Sequence, residues 1–360
     1  MTRSAPGAPA EVDLTWETIA ALDESAQLAD VLAVPTHLGD ALWRVESAGI
    51  QPIDTPGGLV VAGMGGSAIG GVLARAALGD HASRPILAAR AYGLPPWTTP
   101  DTTVLCASYS GETEETLACY EAAGAVGARR VVVTTGGELA ALARQDGVPV
   151  IPLPGGFQPR CAVAYMFVSA LEVAALCGAA PRLAAEIDVA AAHTGTLIAE
   201  WGPDAPEDSL AKTIARGLHG TIPVIAGSAL TAPIAYRWKT QINENAKVPA
   251  FAHELPELDH NELVGWGGAS EVGRFGAVFL DDCDIHPRVK ARIDLTERAV
   301  AEEAVATFRV ETRGETSVER VVSLVLLGDL VSLYMAILRG LDPSPVPAID
   351  SLKRALAERD

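Results

Sequence analysis

The stretch VLCASYSGETEETL, residues 104–117, decides how the fold of this chain is predicted. Its first part is apolar and predicts a buried strand, and the Ala-rich segment that begins at Glu114 predicts a helix. Three hydroxyl side chains lie in the turn between them: Ser108, Ser110 and Thr113. A strand, a turn and a helix N-terminus together present backbone N–H groups and the positive end of a helix dipole. The stretch therefore predicts a phosphate cradle, although the same residues would also serve as ordinary helix caps.

A glycine-rich stretch, LVVAGMGGSAIGG at 59–71, repeats this layout of strand, turn and helix. Taken alone, it satisfies the G-x-G-x-x-A form of the dinucleotide fingerprint. That fingerprint requires an acidic residue about twenty positions later, and the next strand ends instead at Arg90, which would suit NADP. We favour another interpretation, in which the backbone approaches a sugar ring or a phosphate at three residues: Gly65, Gly66 and Ser67.

Short apolar runs alternate with helical or turn-rich segments through the first half of the chain. After the strand that begins at Leu59, they occupy 85–89, 103–107, 130–134 and 148–153. Such alternation predicts an α/β fold with a doubly wound parallel sheet. Ligands of such sheets bind outside the carboxyl ends of the strands.

The same layout begins again at TIPVIAGSALTAPIAYRWK, 221–239, and a later strand is predicted at 275–282. We infer a weak internal duplication of one α/β module. Where the first copy has hydroxyls, the second has three carboxylates: Asp281, Asp282 and Asp284. Three carboxylates would repel a phosphate, so only the first module is predicted to bind one.

The 360 residues suit two modules, at about 100–200 residues per domain. We expect a helical leader, a first phosphate-binding module, connecting helices, a second module and a C-terminal helix that closes the active site. The boundaries are 1–50, 51–155, 156–220, 221–341 and 342–360, respectively.

Composition excludes several classes of protein. A net charge of −18 argues against nucleic-acid binding. The five cysteines are scattered in apolar contexts, so we expect reduced core residues and, with an N-terminus unlike a signal peptide, a cytoplasmic location. The apolar segments 161–180 and 321–338 are interrupted by Glu172 and Asp329, and they predict buried helices instead of membrane spans.

A third region, QINENAKVPAFAHELPELDHNELVGW at 241–266, is dense in polar residues beside apolar ones. Glu244 and His260 supply a carboxylate and an imidazole, which suffice to move protons at neutral pH. Taken singly, the glutamate would fit a solvated face, and the histidine would fit a capping or a core role. A metal site is not predicted here, because Pro256 breaks any helix that would align the nearby His and Glu residues.

Together, GMGGSAIGG, SYSGETEET and NENAK…ELDHNELVGW resemble the motifs of the sugar isomerase (SIS) superfamily, specifically its bifunctional phosphoglucose/phosphomannose isomerases. The resemblance covers nearly the whole chain, including DPSPVPAIDSLKRAL at 342–356. It implies two SIS modules per chain, each a doubly wound parallel sheet flanked by helices, in a homodimer without metal or nucleotide cofactors. The implied reaction interconverts glucose 6-phosphate or mannose 6-phosphate with fructose 6-phosphate.

The resemblance also implies roles for individual residues. Sugar and phosphate contacts fall on Ser67, Ser108, Ser110 and Thr113. Glu244 matches the general base of a cis-enediol mechanism, and His260 matches a ring-opening residue contributed by the partner subunit. Arg160 matches the arginine that steadies the enediolate, and Lys353 matches the ring-oxygen lysine. Glu112 stands where the common loop has Asn, which leads us to expect a carboxylate beside the cradle.

Other functions compatible with this resemblance are a sugar-phosphate sensor without chemistry and an SIS isomerase for another sugar phosphate. A sensor needs no proton-transfer residues, so the presence of Glu244, Arg160, His260 and Lys353 favours an enzyme. A glucosamine synthase would need an additional glutaminase domain.

Overall fold

The computed structural model describes residues 12–359, so the first eleven residues of the predicted leader and Asp360 lie outside the description below. The first sheet consists of β1 (Leu59–Gly63), β2 (Ile86–Ala89), β3 (Thr103–Ala107), β4 (Arg129–Thr134) and β5 (Val150–Pro152). All neighbours are parallel, in the order β2-β1-β3-β4-β5. The carboxyl ends of β1 and β3 therefore lie side by side, and both glycine- and hydroxyl-rich turns meet at one edge.

The second sheet consists of β6 (Ile222–Gly227), β7 (Phe251–Glu254), β8 (Phe275–Asp281) and β9 (Ala306–Glu311). Its strands are also parallel, in the order β7-β6-β8-β9. β6 pairs with β7 and β8 as β1 pairs with β2 and β3, which is the strand order that an internal duplication would give. The prediction of an α/β fold with two parallel sheets is confirmed.

Helices flank both sheets. Those of the leader and the first sheet are α1 (Trp16–Ala20), α2 (Gln27–Leu32), α3 (Val34–Ser47), α4 (Gly65–Leu78), α5 (Glu114–Ala125) and α6 (Gly137–Asp146). Three helices follow β5 and precede β6 along the chain: α7 (Val163–Leu176), α8 (Ala184–Trp201) and α9 (Leu210–Leu218). The remainder are α10 (Ala232–Gln241), α11 (Leu263–Trp266), α12 (Ala269–Val272), α13 (Pro287–Ala301), α14 (Ser317–Leu338) and α15 (Pro347–Ala357).

The two most apolar helices, α7 and α14, are core helices of the fold. The helical segment Pro159–Leu176, which ends with α7, and α14 are each long and apolar enough to span a membrane, but 83% and 94% of their apolar windows are buried inside the protein. α7 packs against α3 and α4, and α14 packs against α8, α9 and α10. The carboxylates that interrupt them have cationic partners: Glu172 accepts from Arg182 at 2.8 Å and Asp329 accepts from Arg237 at 2.7 Å.

Glycines of the 59–71 stretch allow α4 to pack unusually close to its neighbours. A Cβ at Gly70 would lie 2.5 Å from the backbone of Met166 in α7, and one at Gly71 would lie 2.7 Å from the Val61 side chain in β1. Side chains at these positions would overlap with the core. Part of the glycine motif therefore serves packing, whereas its first residues face the predicted ligand site.

One cysteine departs from the prediction. Four are buried free thiols, as expected: Cys106, Cys119, Cys161 and Cys177. Cys283 is exposed, so its assignment to the core is wrong. The preceding residue, Asp282, takes the inward position at the end of β8, where Thr312 and Arg320 contact its carboxylate, and Cys283 is left in the outer turn.

Candidate active site

The hydroxyl-rich turn between β3 and α5 is folded on itself. Ser108 Oγ accepts a hydrogen bond from the N–H of Gly111 at 3.0 Å and lies 2.8 Å from Thr113 Oγ1. Gly111 has a φ of 74°, and a Cβ there would lie 2.0 Å from the carbonyl oxygen of Gly136, so the turn requires glycine. Ser110 is exposed and is held by the rest of the turn in a position open to a ligand.

The N-terminus of α4 lies next to this turn. Ser67 Oγ accepts a hydrogen bond from the N–H of Tyr109 at 3.2 Å, which ties the two turns together. Gly65 has a φ of 50°, and a Cβ at Gly66 would lie only 3.0 Å from the carbonyl oxygen of Pro159. Glycine thus brings the start of α4, with its outward N–H groups, against the segment that contains Arg160.

Arg160 lies in a 3₁₀ turn, Pro159–Ala162, and its side chain is 4% exposed. Its Nε and Nη2 atoms donate to Asn245 Oδ1 (2.7 Å), Gln27 Oε1 (2.7 Å) and the carbonyls of Pro343 (2.9 Å) and Ser344 (3.0 Å). Its Nη1 lies 3.5 Å from Glu244 Oε2. Burial lowers the pKa of Arg160, and the Glu244 carboxylate opposes that effect. The guanidinium is therefore fixed on one side and faces the predicted base on the other.

Glu244 lies in a π-helical turn, Ile242–Ala246, that continues α10. Turns of this kind are rare and occur frequently at functional sites. Both flanking asparagines are engaged: Asn243 Nδ2 donates to the carbonyl of Val248 at 2.7 Å and Asn245 Nδ2 donates to Ser332 Oγ at 2.9 Å. The Glu244 carboxylate itself is 30% exposed. It borders a cavity of about 120 Å³ whose wall also includes Gly65, Gly66 and Arg160.

A buried ion pair supports this arrangement from behind. Asp329 in α14 accepts hydrogen bonds from Arg237 Nη2 at 2.7 Å and from Gln241 Nε2 at 3.1 Å. Arg237 Nη2 also donates to the backbone carbonyl of Arg160 at 3.0 Å. Burial raises the pKa of Asp329, and Arg237 acts in the opposite direction. The carboxylate in the middle of an apolar helix thus holds, through Arg237, the backbone that carries Arg160.

The carboxylate of Glu112 does not face the cradle as a free charge. Its Oε1 accepts a hydrogen bond from the N–H of Glu138 at 2.9 Å, in the first turn of α6. A carboxylate at this position satisfies an N–H group that the helix leaves unpaired and complements the helix dipole. Glu112 thus lies beside the cradle, as the sequence leads us to expect, and its carboxylate serves the neighbouring helix.

The equivalent edge of the second sheet is filled by ion pairs. Asp281, at the end of β8, accepts from Arg309 Nη2 at 2.7 Å, and Lys290 lies 3.3 Å away. Arg320 lies 3.5 Å from Asp282 and 3.6 Å from Asp284. The carboxylates that replace the hydroxyls of the first copy are bound to the protein's own cations.

Two of the predicted catalytic residues, His260 and Lys353, are not brought to Glu244 within one chain. His260 ends a 3₁₀ turn, Glu257–His260, and is exposed. Lys353 is exposed on α15 and, within residues 12–359, makes no hydrogen bond or ion pair. The start of α15 is nevertheless close: residues 345–349 and the 243–249 segment enclose an apolar cavity of about 540 Å³ that Glu244 also borders.

Sequence reasoning missed the residues that hold Arg160 and Glu244 in place. Gln27 lies 218 positions before its partner Asn245 and 317 positions before Ser344, and no local pattern marks contacts over such separations. Asp329 did carry a signal, because a lone carboxylate within an apolar helix requires a buried partner. Asn245 carried one too, as the second asparagine of the NEN triplet.

Comparison with known proteins gives consistent matches. The family described as the bacterial phospho-glucose isomerase C-terminal SIS domain matches residues 207–356. The chain is 40% identical over 303 residues to the bifunctional phosphoglucose/phosphomannose isomerase of Caldicellulosiruptor bescii, covering 83% of this chain and 89% of that protein. It is 36% identical over 301 residues to the protein of the same description from Aquifex aeolicus, covering 83% of this chain and 90% of that protein.

Among solved structures, a hypothetical protein from Thermus thermophilus has a TM-score of 0.73 to this chain at 17% identity. The superposition covers 95% of this chain and 92% of the other. At this level of identity the likeness concerns the fold, and it extends over both sheets.

Proposed function

Since the chain belongs to the family of bifunctional phosphoglucose/phosphomannose isomerases, we propose that it is an aldose–ketose isomerase that interconverts glucose 6-phosphate or mannose 6-phosphate with fructose 6-phosphate. The observation that carries the proposal is the placement of the Glu244 carboxylate 3.5 Å from the buried guanidinium of Arg160. The two groups share a cavity with the N-terminus of α4. A base, a fixed cation and an anion-binding helix end are the components that this reaction needs.

In the proposed reaction, Glu244 removes the proton from C2 of the open-chain aldose and the C–H electrons form the C1–C2 double bond of a cis-enediolate. The electrons of the C1 carbonyl move to O1, a proton passes from O2 to O1, and protonation at C1 by the same carboxyl group, as the C2 carbonyl forms, gives the ketose. C2 becomes planar in the intermediate, so glucose and mannose phosphates, which differ only at C2, lead to the same species. Arg160 is positioned to stabilise the negative charge that develops on the enediolate oxygen, a role in which preorganised donors have large effects.

We assign the substrate phosphate to the turn at Ser108–Thr113 and to the start of α4. Within the turn the donors are hydroxyl and backbone N–H groups, without a lysine or an arginine. Ser110 is the most exposed of its hydroxyls; its Oγ accepts a hydrogen bond from the N–H of Glu112 at 3.2 Å, which leaves the hydroxyl hydrogen to donate to a ligand. The proposal therefore places an anion in a site built from neutral donors, in a chain whose net charge is −18.

Replacing Ser110 with Ala is expected to raise the KM for the sugar phosphates about tenfold, because a hydrogen bond to a charged group contributes ~1.5–3 kcal/mol. Steady-state kinetics with glucose 6-phosphate and mannose 6-phosphate measure this, and Ser47→Ala, at the exposed end of α3, serves as the matched control. Inorganic phosphate should compete with substrate. Turnover of free glucose or mannose at the rate of the 6-phosphates would contradict both the cradle and the function.

We further propose a homodimer in which His260 enters the site of the partner subunit. His260 is exposed, and it is flanked by apolar surface that a second copy would cover, since Val264 is 86% and Val272 is 80% exposed. A crevice of about 840 Å³ runs between the two sheets and shares Arg90 and Tyr236 with the cavity at Glu244. This crevice is a route by which a side chain of the partner would reach the substrate.

Lys353 is assigned, on the family resemblance, to the ring oxygen of the substrate. The start of α15 borders the same apolar cavity as Glu244, and the proposal requires this exposed helix to close over the site. We also propose that the protein acts in the cytoplasm, because its cysteines are free thiols and four of them are buried in the core.

A further inference from the structure

Lys247 lies three residues after the predicted base and has no role in the reaction as described so far. It ends the π turn in a left-handed conformation, with a φ of 56°. Its side chain folds back, and Nζ donates to the carbonyl oxygen of Glu244 and, at 2.7 Å, to that of Pro343. One ammonium therefore joins the backbone of the base to the segment from which α15 begins.

Two arginines reinforce the same junction. Arg160 Nη2 donates to the carbonyls of Pro343 and Ser344, and Arg339 Nη1 donates to those of Ala246 and, at 2.9 Å, Lys247. Carbonyl oxygens at the end of a helical segment lack backbone partners and carry partial negative charge, which cations satisfy. The junction between the π turn and the C-terminal segment is thus held by three cations on backbone carbonyls.

We propose that Lys247 is a positioning residue for the isomerase reaction, whose ammonium fixes the backbone of Glu244 against Pro343 and so sets both the direction of the base and the root of α15. The inference rests on the proposed function and deepens it. Lys247 contacts the carbonyl of Glu244 and not its carboxylate, so it acts on the orientation of the base instead of on the transferred proton.

The electrostatic setting supports a pH-dependent role. Burial and, next, the guanidinium of Arg160 lower the pKa of Lys247 to about 8, whereas Asp342 and Glu244 oppose them. Arg339 contacts the same turn and also lies near His219, whose pKa burial lowers below its usual value of 6.5. His219 therefore titrates below the range in which Lys247 loses its proton. A neutral amine forms weaker hydrogen bonds to the two carbonyls than an ammonium does.

As the pH rises and Lys247 loses its proton, kcat should fall, whereas the contribution of this group to the free energy of unfolding should rise. The pKa of Lys247 is depressed in the folded chain, so between about pH 8 and 10.5 the unfolded chain binds a proton that the folded chain does not. The contribution of this group to the free energy of unfolding then rises with pH. If Lys247 positions the base, kcat should fall between about pH 8 and 10.5 although the contribution of this group to the free energy of unfolding does not fall. A merely structural role would not produce that combination.

The test compares Lys247→Arg, which keeps the charge at all these pH values, with Lys247→Met, which removes it. For the wild type, kcat should fall about tenfold as pH rises through about 8, in line with the strength of hydrogen bonds to a charged donor. Lys247→Arg should retain kcat at pH 9, and Lys247→Met should show the reduced kcat already at pH 7 with KM changed less than about twofold. Lys290→Met, at a lysine paired with Glu311 in the second module, is the matched control.

Wild-type kcat in Lys247→Met, or an alkaline decline that both variants share with the wild type, would overturn the proposal. Amide hydrogen exchange gives a measurement that does not depend on activity. The Ser344 and Ile349 amides, at the root of α15, should exchange about tenfold faster in Lys247→Met than in the wild type. Unchanged exchange would refute the junction itself, whereas faster exchange in a protein that converts no hexose phosphate would refute the proposed function alone.

Discussion

Glu244→Gln is expected to lower kcat by ~10²–10⁴, the range over which a positioned general base contributes to a rate. Glutamine keeps the size and shape of the side chain and still accepts a hydrogen bond, but it does not take up a proton at neutral pH. KM and the folded structure should therefore be largely unchanged, because the loss concerns an interaction made in the transition state. Steady-state kinetics in both directions measure the effect.

The chain offers a close control for this substitution. Glu121 is exposed on α5, and Glu121→Gln removes the same charge at a residue that lines neither the cavity at Glu244 nor the crevice between the sheets. That control should keep kcat within about twofold of the wild type, as for most surface substitutions. A near-wild-type kcat in Glu244→Gln would assign the proton transfer to another residue.

Mixing two inactive variants is expected to restore activity if the site is shared between subunits. A dimer of one Glu244→Gln chain and one His260→Ala chain contains one site with both residues intact and one site with neither. Random exchange of equal amounts makes about half of the dimers mixed, so about a quarter of full activity should return. The structure motivates the experiment because His260 is exposed and lies outside its own chain's cavity at Glu244.

Subunit exchange has to be verified independently, for example with differently tagged chains. The matched control mixes Glu244→Gln with Arg160→Met chains: both substitutions fall in the same chain's site, so no mixed dimer has a complete site. Recovery in the first mixture alone supports a shared site. No recovery after verified exchange would place His260 in its own chain's site or outside the reaction.

Local patterns predicted the fold class and the arrangement of the two turns well. The strand, turn and helix around Ser110 depend on neighbours in sequence, and the parallel order of β1 and β3 follows from the alternation of strands and helices. The two turns at the carboxyl edge therefore had to lie close together. Glu244 was recognisable because its charge lies between asparagines at the end of an apolar helix.

Contacts between distant segments were not predictable in the same way. Gln27, Asn245 and Ser344 converge on Arg160 from the leader, the π turn and the C-terminal segment, and no periodicity relates such positions. Glu112 illustrates a related difficulty. Its sequence neighbours suggest a charge beside the cradle, but its partner is the N–H of Glu138 on the next helix.

The central claim is that Glu244 transfers a proton between C2 and C1 of a hexose 6-phosphate through an enediol. Isomerisation of glucose 6-phosphate and of mannose 6-phosphate in D₂O, with EDTA present and followed by NMR to equilibrium, tests it most directly. With the wild type we expect deuterium at C1 of fructose 6-phosphate from both substrates, and with Glu244→Gln we expect neither conversion nor label on the same timescale. Full conversion without deuterium at C1, as a hydride shift would give, or loss of conversion in EDTA would contradict it.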